Sequence, residues 1–240
     1  MPTELAPRTR TPAGRFWAST IGKKAVMAVT GLVLVGYLFA HMLGNLKVFL
    51  GADAMNEYAA WLRRIGEPVL PFGVFLWILR CGLLLAVVLH VVAAVQLTAR
   101  DRRARRVGYV HGRRLSLRGG RGLRSFAPST MRWGGATLAV YVVWHVLDLT
   151  VGVANRDFVE GDPYHNVVAD FSVWWVNLIY IVALLMLGLH LNHGITSAAR
   201  TLGFGGGTGG WVGNLGPLVA VVITVGFLAV PLGVMTGLVR

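Results

Sequence analysis

The stretch Ala25–Leu50, AVMAVTGLVLVGYLFAHMLGNLKVFL, runs for 26 residues with no charge before Lys47. As a helix rising ~1.5 Å per residue, it spans the ~30 Å hydrocarbon core of a bilayer with room for tilt. It also carries His41, and an ionisable ring inside such a span is costly unless something there receives it. The rest of the chain is therefore read first for helices that can pack on this one, and then for partners of His41.

Four more apolar runs follow. Helices are expected at about 25–50, 71–98, 131–154, 171–198 and 211–236, giving an all-α transmembrane protein with a single five-helix bundle over 25–236. A cytoplasmic arm, 1–24, precedes it, with a short interfacial helix around Phe16 and Trp17. The chain is 55% hydrophobic and only 14% charged, which is too apolar for a soluble domain. Its net charge of +13 is concentrated, with ten arginines lying between Arg100 and Arg124 in the 99–130 connection. Such a cluster could bind nucleic acid, but between two apolar runs it reads as a cytoplasmic loop under the positive-inside rule. That sets the N-terminus in the cytoplasm and the C-terminus outside, with no nucleic-acid partner.

The first apolar run is too long for a signal peptide's hydrophobic region and lacks a small-residue cleavage site, so it is expected to be retained. Cys81 is the only cysteine. It can form no intrachain disulfide and no iron–sulfur cluster, and is expected as a small core residue. Tyr58 and Trp61 suit a membrane interface in the 51–70 connection, after which Pro68 and Pro71 mark the start of the second helix. A short acidic connection holds Asp157, Glu160, Asp162 and Asp170. The glycine run GFGGGTGG at 203–210 follows no strand and is a turn rather than a phosphate loop. Pro217 and Pro231 predict a bent fifth helix. No internal repeat of the kind that marks a transporter fold is present.

Of seven histidines, His111 and His165 fall in connections. The others lie within helices: His41, His90 and His145 in the first three, His190 and His193 in the fourth. His41 and His145 each sit nine residues before the outer end of the expected helix, ~13 Å deep. His90 and His190 each lie eight residues from the inner end, ~12 Å from the other face. The four thus split into an outer and an inner pair. Two imidazoles facing each other at one depth can hold a flat metal macrocycle as axial ligands, and ligation offsets the cost of burying them.

Zinc would need a third and fourth ligand that neither depth supplies. A proton-relay transporter would need carboxylates threaded through the membrane, and only Asp148 qualifies. Ala86, Ala93 and Ala94 share a face with His90, Gly44 lies beside His41, and Gly194 beside His190. Small residues let a macrocycle approach a helix and equally let helices pack. His193 could replace His190 as ligand, bond a haem carboxylate or fill the core. Arg80 could hold a haem propionate or pair with Asp148.

The segments LFAHMLGN, VVLHVVAAV, VVWHVLD and GLHLNHGITSAARTLG, in successive helices, resemble the five-helix dihaem cytochrome b subunit of succinate:menaquinone oxidoreductases and the related quinol:fumarate reductases. GADAMNEYAAWLRR is similar to that family's outer loop. The resemblance covers about Ser19 to Thr236. It implies two haem b groups, the inner held by His90 and His190 and the outer by His41 and His145. His190, four residues before Gly194, takes the ligand position, and His193 falls behind it.

The resemblance further implies a flavoprotein and an iron–sulfur partner on the cytoplasmic side of a bacterial plasma membrane; the arginine-rich loop and Lys23–Lys24 are natural docking surfaces for the iron–sulfur partner or for anionic lipid. Electrons from succinate would pass through the haems to menaquinone. The second loop is longer and richer in arginine than the family's pattern. Asn45, Asn56, Tyr58, Trp61 and Arg64 are candidates for the quinone site, each equally readable as an interface anchor or a solvated group. Alternatives are quinol oxidation coupled to fumarate reduction, a monohaem or haemless anchor, and the proton-relay transporter.

Overall fold

The computed structural model describes residues 11–104, 122–204 and 211–240, with side chains from 131 onward in the second segment and from 214 in the third. Met1–Arg10 of the arm, most of the arginine-rich connection with His111, and 205–210 of the glycine run lie outside the described residues. The described chain is all-helical.

The short α1 (Pro12–Ala18) is capped by Thr11, whose hydroxyl accepts from the Gly14 N–H at 3.2 Å. Ser19 then turns the chain into α2 (Thr20–Asn45), its hydroxyl donating to the Phe16 carbonyl and accepting from the Gly22 N–H. A 3-10 turn, Leu46–Leu50, extends α2. Gly51, at φ +93°, reverses the chain into α3 (Ala52–Arg64). The long helices α4 (Val74–Ala104) and α5 (Gly122–Leu149) follow. A short α6 (Pro163–Phe171) is capped by Asp162 with Pro163 at its first position. Last come α7 (Trp174–Thr201) and α8 (Trp211–Met235).

Among the described residues four apolar segments are long enough to cross a membrane: Thr20–Leu50, Val74–Ala104, Trp174–Thr201 and Asn214–Met235. In α5, as long as α7 at 28 residues, Arg132, His145 and Asp148 interrupt the apolar run. Large apolar side chains on all five long helices point outward, among them Leu84, Val140, Leu178 and Val221. In a bilayer such faces meet lipid. Cys81 is also exposed on α4, so it is not the core residue expected.

Several expected boundaries move. The 51–70 and acidic connections each contain a surface helix, α3 and α6. The second helix starts at Val74 rather than Pro71, and runs to Ala104 rather than 98. The third covers 122–149 rather than 131–154, and the fourth starts and ends three residues late. Hydropathy marks where the bilayer lies, whereas a helix continues into water as long as its residues tolerate it. The fifth helix contains both Pro217 and Pro231 and runs through them.

The two ends of the bundle are distinct. At one, Arg100 of α4 donates to the Ala18 carbonyl (2.9 Å) and Thr20 hydroxyl (3.3 Å), and Lys23 donates to the Trp17 carbonyl. At the other, α3 and α6 are joined by Asn56, whose amide donates to Asp162 (2.9 Å) and accepts from the Tyr164 N–H (3.1 Å). The Tyr164 hydroxyl donates to the Arg240 carbonyl, so the chain finishes at this end, opposite α1.

Packing within the bundle is uneven. α8 lies against α7 through close approaches at Gly188–Thr224 and Gly216–Thr196, with Gly226 against Met42 of α2. Leu184, Leu187, Leu191, Ile223 and Phe227 fill the core there. Around the other face, α4 packs on α2, α2 on α7 and α7 on α5. Among the described residues the diagonals of this four-helix set, α2 with α5 and α4 with α7, do not pack backbone on backbone, and neither do α4 and α5.

Candidate functional site

The two open diagonals are bridged by histidines. His41 of α2 meets His145 of α5 with ring centroids 5.9 Å apart, and His90 of α4 meets His190 of α7 at 6.4 Å. These are the outer and inner pairs expected from depth. His41 and His145 each lie four residues before the end of their helix, at Asn45 and Leu149, so the outer pair is closer to the α3–α6 end than nine residues implied. With metal–imidazole bonds of about 2.0–2.1 Å and ~1.1 Å from ring nitrogen to ring centre, two trans imidazoles have centroids about 6.3 Å apart. Both pairs fall close to that spacing.

Hydrogen bonding fixes the tautomer in one member of each pair. His90 Nδ1 lies 3.1 Å from the Met27 carbonyl and 3.3 Å from the Thr30 hydroxyl. A carbonyl only accepts, so Nδ1 carries the proton and Nε2 keeps the lone pair a metal needs. His145 Nδ1 lies 3.2 Å from the Tyr180 hydroxyl, which itself donates to Asp148 Oδ2 at 2.8 Å. The phenol oxygen therefore accepts from Nδ1–H, and Nε2 is again free. His190 Nδ1 is buried without a partner among the described residues, and His41 stacks on Tyr37 at 5.3 Å and meets Phe227.

Two glycines border the inner pair. A Cβ on Gly31 of α2 would stand 3.2 Å from His90 Cε1, and one on Gly135 of α5 would stand 3.6 Å from His190 Cε1. Each glycine lies ten residues before the outer-pair histidine of its own helix, which sets the two levels ~15 Å apart along the bundle. Neither glycine was singled out from the sequence. Of the small residues that were, Ala86 and Ala93 are buried on α4 and Gly194 faces open space, but Gly44 is covered by Tyr58.

His193 hydrogen-bonds the Leu189 carbonyl of its own helix at 3.0 Å, while His190 is the residue that faces His90. Arg80 is exposed, with its guanidinium 5.0 Å over the Trp77 ring, and Asp148 is fully buried with Tyr180 as its donor, so the two do not pair. His165 belongs to α6, where Nε2 reaches the Asp157 carbonyl at 2.9 Å; it is not a free loop residue.

The acidic connection contributes Asp170, which is buried against Asp148. Burial first, and then the Asp148 carboxyl, push the Asp170 carboxyl up to about 8. By sequence Asp170 belongs to a short acidic connection and Tyr180 carries no signal, because the contacts joining them to Asp148 are non-local.

The five quinone candidates separate. Asn56 is used at both ends in joining α3 to α6, its amide nitrogen on Asp162 and its amide oxygen on the Tyr164 N–H. Asn45 is the last residue of α2 and half-buried. Tyr58 stacks on Trp61 at 5.8 Å and lies under Lys47, whose ammonium is 5.2 Å from the ring. Trp61 and Arg64, with Glu57 and Ala60, line an open cleft of about 340 Å³ on α3.

Among the described residues no group of three or more histidine, cysteine, aspartate or glutamate side chains could hold a bare metal ion. The donor set at each level is two imidazoles from different helices, which would suit a metal whose other positions a macrocycle fills. No protein-family model, no curated protein and no solved structure matches the chain.

Proposed function

We propose that the chain is a membrane cytochrome that holds two b-type haems between imidazoles of four spanning helices. The carrying observation is that both helix diagonals left open by the backbone are crossed by histidine rings at 5.9 and 6.4 Å, with Nε2 free at His90 and His145. When bound, the haems supply one-electron Fe(III)/Fe(II) couples. The chain's own residues orient the imidazoles, make room beside His90 through Gly31, and keep water away with the apolar walls of α2, α4, α5 and α7.

More particularly, it is the dihaem cytochrome b anchor of a succinate:menaquinone oxidoreductase in a bacterial plasma membrane, supported by the four-segment resemblance. In this reading α5 is the fifth span, α1 and the arginine-rich connection face the cytoplasm, and the C-terminus lies outside. The basic end docks an iron–sulfur subunit and, through it, a flavoprotein that oxidises succinate. His90 and His190 would hold the haem nearer the basic end and His41 and His145 the haem nearer the α3–α6 end, where the cleft lined by Trp61 and Arg64, with Tyr58 beside it, would receive a quinone head group. The same parts would serve quinol oxidation with fumarate. A proton relay is less well supported, because the two carboxylates buried among the described residues, Asp148 and Asp170, cluster at one end and do not thread the bundle.

The test is haem content and spectrum of the purified complex. Two haems per chain with two reduced-minus-oxidised b-type components are expected; a colourless protein with intact helices overturns the proposal.

A further inference from the structure

The two histidine pairs differ in what holds the ring from behind. His90 gives its Nδ1 proton to an uncharged backbone carbonyl, Met27, and to the Thr30 hydroxyl. His145 gives its proton to the Tyr180 oxygen at 3.2 Å, and that hydroxyl is drawn onto the fully buried Asp148 carboxyl at 2.8 Å. A phenol whose own proton is engaged by a carboxyl group is a stronger acceptor than a free one. Through it the carboxyl acts on His145 much as a directly bonded carboxylate acts on a metal-bound histidine, raising the basicity of the coordinating nitrogen.

The Tyr180 ring has little freedom to swing away. Phe171 packs edge-on at 4.8 Å and Tyr141 edge-on at 5.2 Å. Tyr141 also stacks on His145 at 5.8 Å, so two tyrosines touch the same imidazole and one of them, Tyr180, hydrogen-bonds it. That difference provides an internal control.

We infer that Tyr180, held by Asp148, is a positioning residue for His145 that lowers the reduction potential of the outer centre relative to the inner one. The inference rests on the dihaem reading above. A more basic axial imidazole favours the ferric state, so removing the hydroxyl raises the midpoint of the outer component alone.

The experiment is a redox titration of haem absorbance in the membrane complex, with the outer component identified as the one His145→Ala removes. Tyr180→Phe is expected to raise the ferrous-to-ferric ratio of the outer component about tenfold at fixed potential, which is ~59 mV for one electron. Asp148→Asn is expected to shift it in the same direction by less, since the amide still accepts from Tyr180, and Tyr141→Phe to leave it in place. Unchanged midpoints in Tyr180→Phe at two haems per chain overturn the inference and leave the dihaem reading standing. A wild-type complex with no haem overturns that reading instead. Should Tyr180→Phe lose the outer haem, Asp148→Asn decides: an upward shift supports the inference and no shift overturns it.

Discussion

Gly31→Ala puts one methyl group beside His90 and so tests whether the inner pair is a ligand site or a packed core contact. The new Cβ would stand 3.2 Å from His90 Cε1 and 3.5 Å from Nδ1. That is tighter than an ordinary contact, so the ring must retreat by a few tenths of an ångström. Its Nδ1 is tied to Met27 and Thr30, at 3.1 and 3.3 Å, on the same helix as the new methyl. Retreat stretches both bonds, and losing such a bond costs about 0.5–1.5 kcal/mol. Alanine for glycine in a helix returns about 0.5–1 kcal/mol of backbone stability, so the fold should hardly change.

Displacing the groups that orient a metal-bound histidine weakens metal affinity about 10–100-fold. Gly31→Ala is therefore expected to lower inner-haem affinity by about tenfold while the outer component stays at wild-type amplitude. Gly135→Ala is the matched control: its Cβ would lie 3.6 Å from His190, an ordinary contact, and both components should survive. The assay is component-resolved haem occupancy in membranes under limiting haem. Equal occupancy in the two variants, or depletion of the outer component by Gly31→Ala, would refute the reasoning.

His145→Ala is expected to remove the outer component and spare the inner, and His90→Ala to do the reverse; spectra losing both components from either change would break the pairing. Asn56→Ala cuts the two hydrogen bonds joining α3 to α6 and should cost about 1–3 kcal/mol, read as a lower melting temperature in detergent. Asp162 accepts from the His165 N–H and the Asn56 amide, which hold its carboxyl below the ordinary range. Its contribution is present above the ordinary aspartate pKa and is lost as pH falls through the lowered folded value, so Asp162→Asn should flatten the acid limb of a stability profile. Asp170 has the opposite sign: pushed up to about 8, it lowers stability as pH climbs from the ordinary aspartate range towards 8. Asp170→Asn should remove that slope in a melting series across the window.

The membrane character and the histidine pairing were legible in the sequence because both are periodic, local quantities. An apolar run longer than the bilayer is thick announces itself, and counting along it gives a depth for His41, His90, His145 and His190 without any tertiary information. Helix ends were less legible: α5 begins at Gly122, well before its apolar residues do, since its basic and polar first turns are compatible with a helix in water. The mixed charge of ADAMNEYAAWLRR concealed α3 in the same way. Least legible were the groups behind the rings. Tyr180 meets Asp148 across 32 residues and His145 across 35, and Arg80, the nearer guess for Asp148, turns out to rest on Trp77. Gly31 and Gly135 left one trace, the shared ten-residue offset from His41 and His145, which only a comparison of the two helices discloses.

The crossed diagonals interleave along the chain: the first histidine of the four meets the third, and the second meets the fourth. Cleaving the polypeptide between α4 and α5 would therefore give two fragments with two of the four imidazoles each, and never both from one pair. Neither half can bring a pair together alone, and during synthesis neither pair closes until α5 has emerged. The outer pair is then complete before α7 exists, and the inner pair must wait for it.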